Sequence, residues 1–182
     1  KNENKTVLEL IDMLELNGSI VTTDAMNTQR AIAEKLQKKK ADYIMPVKDN
    51  QKNLREEIVD YFSYIKQKHE DVLLKSTCQE IDAGHGRIEE RNYSQLLVSE
   101  LIPEASKWAG IRTVIEVSRK RELKDKTETE VIYYISSLPM DLKLVADSIR
   151  GHWEVENKAH YVLDVTYRED DSRIRRENAA EN

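Results

Sequence analysis

Apolar residues recur with two different periods along the first fifty positions, and the alternation between them predicts the fold class. Residues 5–16 carry Val7, Leu8, Leu10, Ile11, Leu14 and Leu16, a helical stripe that Asn17-Gly18 ends. Ser19 to Asp24 is rich in β-branched residues and predicts a buried strand ending at Asp24. A helix over about 28–39 follows, with Ile32, Ala33 and Leu36 inward and Asn27 or Thr28 as its cap. Residues 41–47 predict a second short strand, with Lys48-Asp49-Asn50 as its turn. Helix, strand, helix, strand is the pattern of a parallel α/β sheet, whose sites lie beyond the carboxyl ends of its strands. Asp24 and Lys48 both fall at that edge.

After a long helix over about 51–68 the pattern changes. Residues 76–98 and 111–137 are strand-like with no helix between them, and Gly84-His85-Gly86 bends the chain within the first segment. Ile111–Val117 and Val131–Ser137 predict a hairpin with the charged stretch Arg119–Thr129 at its tip. Pro139 separates this region from the final helices. Three parts result: residues 1–69 in an α/β core, a mostly antiparallel portion over 70–138 that is partly an insertion, and C-terminal helices over 139–182.

A chain of 182 residues can bury one sizeable core, or one core with an inserted lobe. No apolar run is long enough to span a bilayer, and no signal-peptide pattern opens the sequence. A single cysteine, Cys78, excludes an internal disulfide. The net charge of -5 argues against a uniformly basic nucleic-acid binder, but not against local patches such as Lys38-Lys39-Lys40, Arg119-Lys120-Arg121 or Arg173, Arg175 and Arg176. Neither Lys1-Asn2-Glu3 nor Ala179-Ala180-Glu181-Asn182 looks like a natural terminus, so a piece of a longer protein is expected.

The densest chemistry lies in residues 152–170. Helical spacing puts His152, Glu156 and His160 in one line, while Glu154 faces about 200° from Glu156. A carboxylate between two imidazoles can hold a metal, handle a phosphate or move a proton. A structural zinc site is disfavoured, because no cysteine accompanies the histidines and the tighter His-Glu-x-x-His spacing is absent.

The order of a strand ending in Asp, a β-rich insert and a helix carrying Glu resembles the second half of a ribonuclease-H-like DDE transposase. Particular stretches are similar to bacterial insertion-sequence transposases of the H-repeat-associated type. They run in order along the chain: Gly18-Ser-Ile-Val-Thr-Thr-Asp24-Ala-Met, Ala41-Asp-Tyr43, Val47-Lys48-Asp-Asn50-Gln51, Gly84-His-Gly-Arg87-Ile-Glu89-Glu-Arg91, Tyr133-Tyr-Ile-Ser-Ser-Leu138, Arg150-Gly-His-Trp153-Glu-Val-Glu156-Asn157 and His160 through Asp170. The resemblance implies a ribonuclease-H-like core, incomplete at its N-terminus, with a β-rich insertion between the strand of the second Asp and the helix of the Glu. It implies that Asp24 is the second catalytic aspartate and Glu156 the catalytic glutamate, both ligands of Mg2+, with Mn2+ as a substitute. The family's first aspartate lies upstream of a helix like 5–16 and has no counterpart here, so the chain by itself is expected to be inactive.

The implied activity is metal-dependent DNA cleavage and strand transfer at insertion-sequence ends. Two metal ions do both halves of such chemistry, activating the attacking oxygen and stabilising the leaving one. Lys48, Arg87, Arg150 and His152 are the DNA-contact candidates. Related transposases often carry an arginine four residues before the glutamate, the position His152 occupies here. Transposon ends and target DNA are the implied partners, with a homodimer on DNA, no membrane, and a place in the bacterial cytoplasm at the nucleoid. Two other readings stay open: a non-catalytic DNA-binding remnant of a mobile element, and a metal-dependent nuclease outside transposition.

Overall fold

The structure of the protein, a computed structural model, describes residues 3–84, 87–122 and 126–155. It divides into two units, residues 1–148 and 149–182. The first opens with helix α1 (Glu3–Met13), which buries Ile11. Gly18, at φ 74°, turns the chain into the short strand β1 (Ile20–Thr22), and its N–H donates to Lys40 O. Helix α2 (Arg30–Lys38) buries Ile32, Ala33 and Leu36, as its periodicity predicts.

The end of α2 is a Schellman turn. Ala41 N–H donates to Leu36 O and Lys40 N–H to Gln37 O, with Lys40 itself at φ 56°. The turn delivers the chain into strand β2 (Asp42–Val47), which lies parallel to β1 with Ile20 opposite Asp42 and Thr22 opposite Ile44. Both faces of β2 are buried, which is why it reads as a continuous apolar run rather than an alternating one.

A single 3-10 turn (Asp49–Gln51) leads into helix α3 (Lys52–Lys68). Its stripe of Leu54, Ile58, Phe62 and Ile65 is buried, each such side chain stabilising by about 1.5–3 kcal/mol. The short helix α4 (Glu70–Lys75) was not foreseen. Strands β3 (Thr77–Gly84), β4 (Arg87–Leu97), β5 (Thr113–Glu122) and β6 (Thr127–Ser136) complete one six-stranded sheet of order β1-β2-β6-β5-β4-β3. All contacts beyond β1–β2 are antiparallel, and β6 sits directly against β2. The antiparallel strands therefore extend the same sheet as the parallel pair. Tyr43, Met45, Val47, Leu96, Val114, Tyr133 and Ile135 join the buried faces of α2 and α3 in one core.

Two details depart from the sequence pattern. Neither Asn27 nor Thr28 caps α2; the cap position is Gln29, without a side-chain bond, and Thr28 is used elsewhere. The stretch 119–129 is not simply a hairpin tip. Pairing runs out to Glu122 opposite Thr127, because opposite charges line up across the strands, as in Arg119 to Glu130 at 2.5 Å.

Carboxylates are also buried within the sheet. Glu116 accepts from Lys66 Nζ on both oxygens, at 2.7 and 2.8 Å, and from the Tyr133 hydroxyl at 3.1 Å. Glu89 is held between Arg91 and Arg121.

The start of helix α5 (Leu142–Val155), within the first unit, is fixed by Gln95, which is fully buried. Its Oε1 accepts from Asp141 N–H at 3.0 Å, and its Nε2 donates to Pro139 O and Thr113 Oγ1. Asp141 Oδ1 then accepts from Leu144 N–H, the bond of a helix N-cap. In the second unit the described residues, 149–155, are the last turns of this helix. Among the described residues no helix is long and apolar enough to cross a membrane.

Candidate active site

Asp24 stands two residues beyond the end of β1, on an exposed loop at the carboxyl edge of the parallel pair. Its carboxylate is held from one side. Oδ1 accepts from the backbone N–H of Asn27 and from Asn27 Nδ2, both at 2.9 Å, and no described residue donates to Oδ2. Half of the carboxylate thus does the work of a turn aspartate, and the other half stays open.

The loop is fastened from beneath and from the side. Thr28, fully buried, donates from Oγ1 to Pro46 O at 2.6 Å. Asn50 Nδ2 donates to Ala25 O at 2.7 Å, and Gln51 Nε2 to Thr28 O at 3.0 Å. These bonds join the loop after β1 to the turn after β2. Lys48 begins that turn and is exposed, so Asp24 and Lys48 lie at one sheet edge. Sequence reasoning placed both residues there but missed Asn50 and Gln51. The only signal for them was their presence in the Val47–Gln51 stretch.

Two oxygens of the residues around Asp24, Thr23 Oγ1 and Asn27 Oδ1, are buried without a hydrogen-bond partner among the described residues. Buried polar atoms normally find one, and their absence marks this loop as unfinished. Asp24 Oδ2 is a hard oxygen, the kind of donor that divalent cations such as Mg2+ take while keeping several of their waters. That one oxygen fits such an ion in kind, as a single ligand. Among the described residues, no three His, Cys, Asp or Glu side chains gather to hold a metal.

Arg87 is not brought to this edge. Val47 is level with Tyr133, Glu116 and Ser94 across the sheet, and Arg87 begins β4 seven residues farther on, roughly 23 Å along the strand at about 3.3 Å per residue. Arg150 and His152 belong to the second unit, on α5. Two positions apart, they point about 200° from one another around the helix. His152 continues the line of Val145 and Ile149, both buried, and both Arg150 and His152 are half-buried. Glu156 and His160 lie outside the described residues.

The sequence matches the transposase DDE domain family over residues 1–182. The chain belongs to that family. Among curated proteins of Escherichia coli K12, it is 40% identical to "Putative protein YbfL" and 39% identical to "H repeat-associated putative transposase YhhI", each match covering 99% of this chain and 48% of the relative. It is 39% identical to "Putative transposase YncI" of Escherichia coli O157:H7, over 99% of this chain and 46% of that protein. The chain therefore spans about half the length of the curated relatives it matches. No solved structure matches it. Transposase DDE domains generally use divalent metal ions.

Proposed function

We propose that this chain is part of the catalytic domain of a DNA transposase that cleaves and joins strands at insertion-sequence ends. The observation that carries the reading is Asp24. A family match over residues 1–182 meets a carboxylate at the carboxyl edge of a parallel strand pair, held so that one oxygen is open. In this reading Asp24 and Glu156 hold Mg2+ or Mn2+, the sheet around β1 and β2 belongs to the ribonuclease-H-like core, and the β-rich portion over 70–138 is partly an insertion into it.

The bound ions would activate the attacking oxygen and stabilise the leaving one. The protein's part is to place them and the DNA. Asn27 orients the Asp24 carboxylate, and the Asn50 and Gln51 amides hold its loop against β2. Lys48, at the same edge, meets a phosphate as a point charge. Arg87, Arg150 and His152 are further DNA contacts. The first aspartate of the triad belongs on a strand beside β1, on the side where β1 has no neighbour among the described residues. Transposon ends and target DNA are the partners, and two copies act together on DNA.

The test is strand cleavage and strand transfer by the full-length protein on DNA carrying its own insertion-sequence ends, with Mg2+. Asp24→Ala and Glu156→Ala are each expected to reduce both steps at least 1000-fold, on the order of 4 kcal/mol of lost transition-state stabilisation. Cleavage surviving in Asp24→Ala would remove the assignment. Cleavage without joining would point to a nuclease outside transposition, and DNA binding without either step to a non-catalytic remnant.

A further inference from the structure

A carboxylate on an exposed loop binds a metal well only if it is held still beforehand, because ordering a loop of several residues costs on the order of 1–2 kcal/mol each. The loop 23–29 has little apolar anchorage of its own: Asp24 and Met26 are exposed, and Thr28 is its one buried side chain. Its order comes from polar bonds, and two of those originate outside it. Asn50 reaches Ala25 O on one side of the Asp24 turn, and Gln51 reaches Thr28 O on the other. Between these two points Asn27 fixes Oδ1 twice and turns its own Oδ1 inward without a partner.

We propose that Asn50 and Gln51, with Asn27, are positioning residues that preset the Asp24 carboxylate with Oδ2 facing a divalent cation. The inference rests on Asp24 as a metal ligand and goes beyond it, assigning the site's geometry to the amides of the turn after β2. Asn50 and Gln51 do not touch the metal. Their N–H groups spend themselves on backbone carbonyls. Partners of this outer kind typically contribute 10- to 100-fold in metal affinity.

The experiment is a Mn2+ titration of the 15N-labelled 182-residue chain, reading the paramagnetic broadening of backbone amides at residues 23–28. In the unaltered chain these amides broaden first, and the midpoint gives an apparent affinity. Asp24→Asn is expected to abolish the selective broadening. Asn50→Leu and Gln51→Leu, singly, are expected to raise the midpoint roughly tenfold, and the double variant more. Asn50 is exposed, so Asn50→Leu keeps the fold, which unchanged amide positions in β4–β6 verify. Thermal unfolding is followed in parallel. A clamp that is only structural lowers Tm and leaves the midpoint where it was.

The outcomes separate the two ideas. If Asp24→Asn broadens like the unaltered chain, Asp24 is not a ligand and the positioning role falls with it. If Asp24→Asn loses broadening while Asn50→Leu and Gln51→Leu keep the midpoint within about twofold, the metal site stands and the positioning role is overturned.

Discussion

Replacing Lys66 by Met keeps the length of the side chain and removes its charge. Glu116 is only 6% exposed, and Lys66 supplies two of its three hydrogen bonds, one to each oxygen. Removing one partner of a fully buried pair costs about 3–5 kcal/mol. Lys66 is half in water, with its side chain 47% exposed, so the pair is partly screened and the expected loss is about 2–3 kcal/mol. Urea unfolding at neutral pH measures it, as a lower midpoint at unchanged slope. The loss comes from a negative charge left buried with one hydrogen bond in place of three. Combining Lys66→Met with Glu116→Leu and Tyr133→Phe removes every partner at once and should return stability to within about 1 kcal/mol of the original. A loss below about 0.5 kcal/mol, or a triple variant no more stable than Lys66→Met alone, would refute the argument.

Burial, and then the charge of Glu116, push the Tyr133 phenol up to about 12, and burial with the charge of Asp42 raises Tyr43 further. A raised phenol contributes stability that is complete below about 10 and lost as pH rises through the folded value. A phenolate absorbance titration should therefore show these two of the eight tyrosines ionising late, together with alkaline unfolding. Lys40 occupies a left-handed position that costs a side chain roughly 1–2 kcal/mol. Against a glycine's extra unfolded-state entropy of about 0.4–1 kcal/mol, Lys40→Gly should raise stability by up to about 1 kcal/mol. Gly18→Ala should lower it, although open space surrounds the new methyl group. Thermal unfolding of both variants checks the opposite signs.

The periodic parts of the fold were legible. The stripes of α2 and α3 and the apolar run of β2 are direct products of burial, and they place Asp24 and Lys48 at one edge with no further information. Boundaries were less so. β1 stops at Thr22 because Asp24 is taken up in a turn with Asn27, and α2 starts at Arg30 because Thr28 turns its hydroxyl to Pro46. Both are side-chain choices between rival partners, invisible to a pattern of apolar positions. The same holds for Glu116, a carboxylate within the apolar run Thr113–Val117. Sequence alone marks it as odd, but only the register of β5 against β6 supplies its tyrosine. Asn50 and Gln51 read as ordinary turn residues until their amides are seen to reach across to another loop.

Because β6 lies between β2 and β5, the sheet cannot be assembled in the order in which it is synthesised. The amide N–H of Tyr43 donates to Ser137 Oγ, and Ser136 Oγ donates to Tyr43 O, across 94 and 93 residues of chain. At roughly 5–20 residues per second on a ribosome, β2 would wait some 5–20 s for the strand that completes it. During that interval one side of an apolar strand has no ladder partner. Contacts so distant in sequence also slow folding, since the loop must close before they form. Nascent chains should therefore need protection over this interval, and a stall just before β6 should leave a species prone to aggregate.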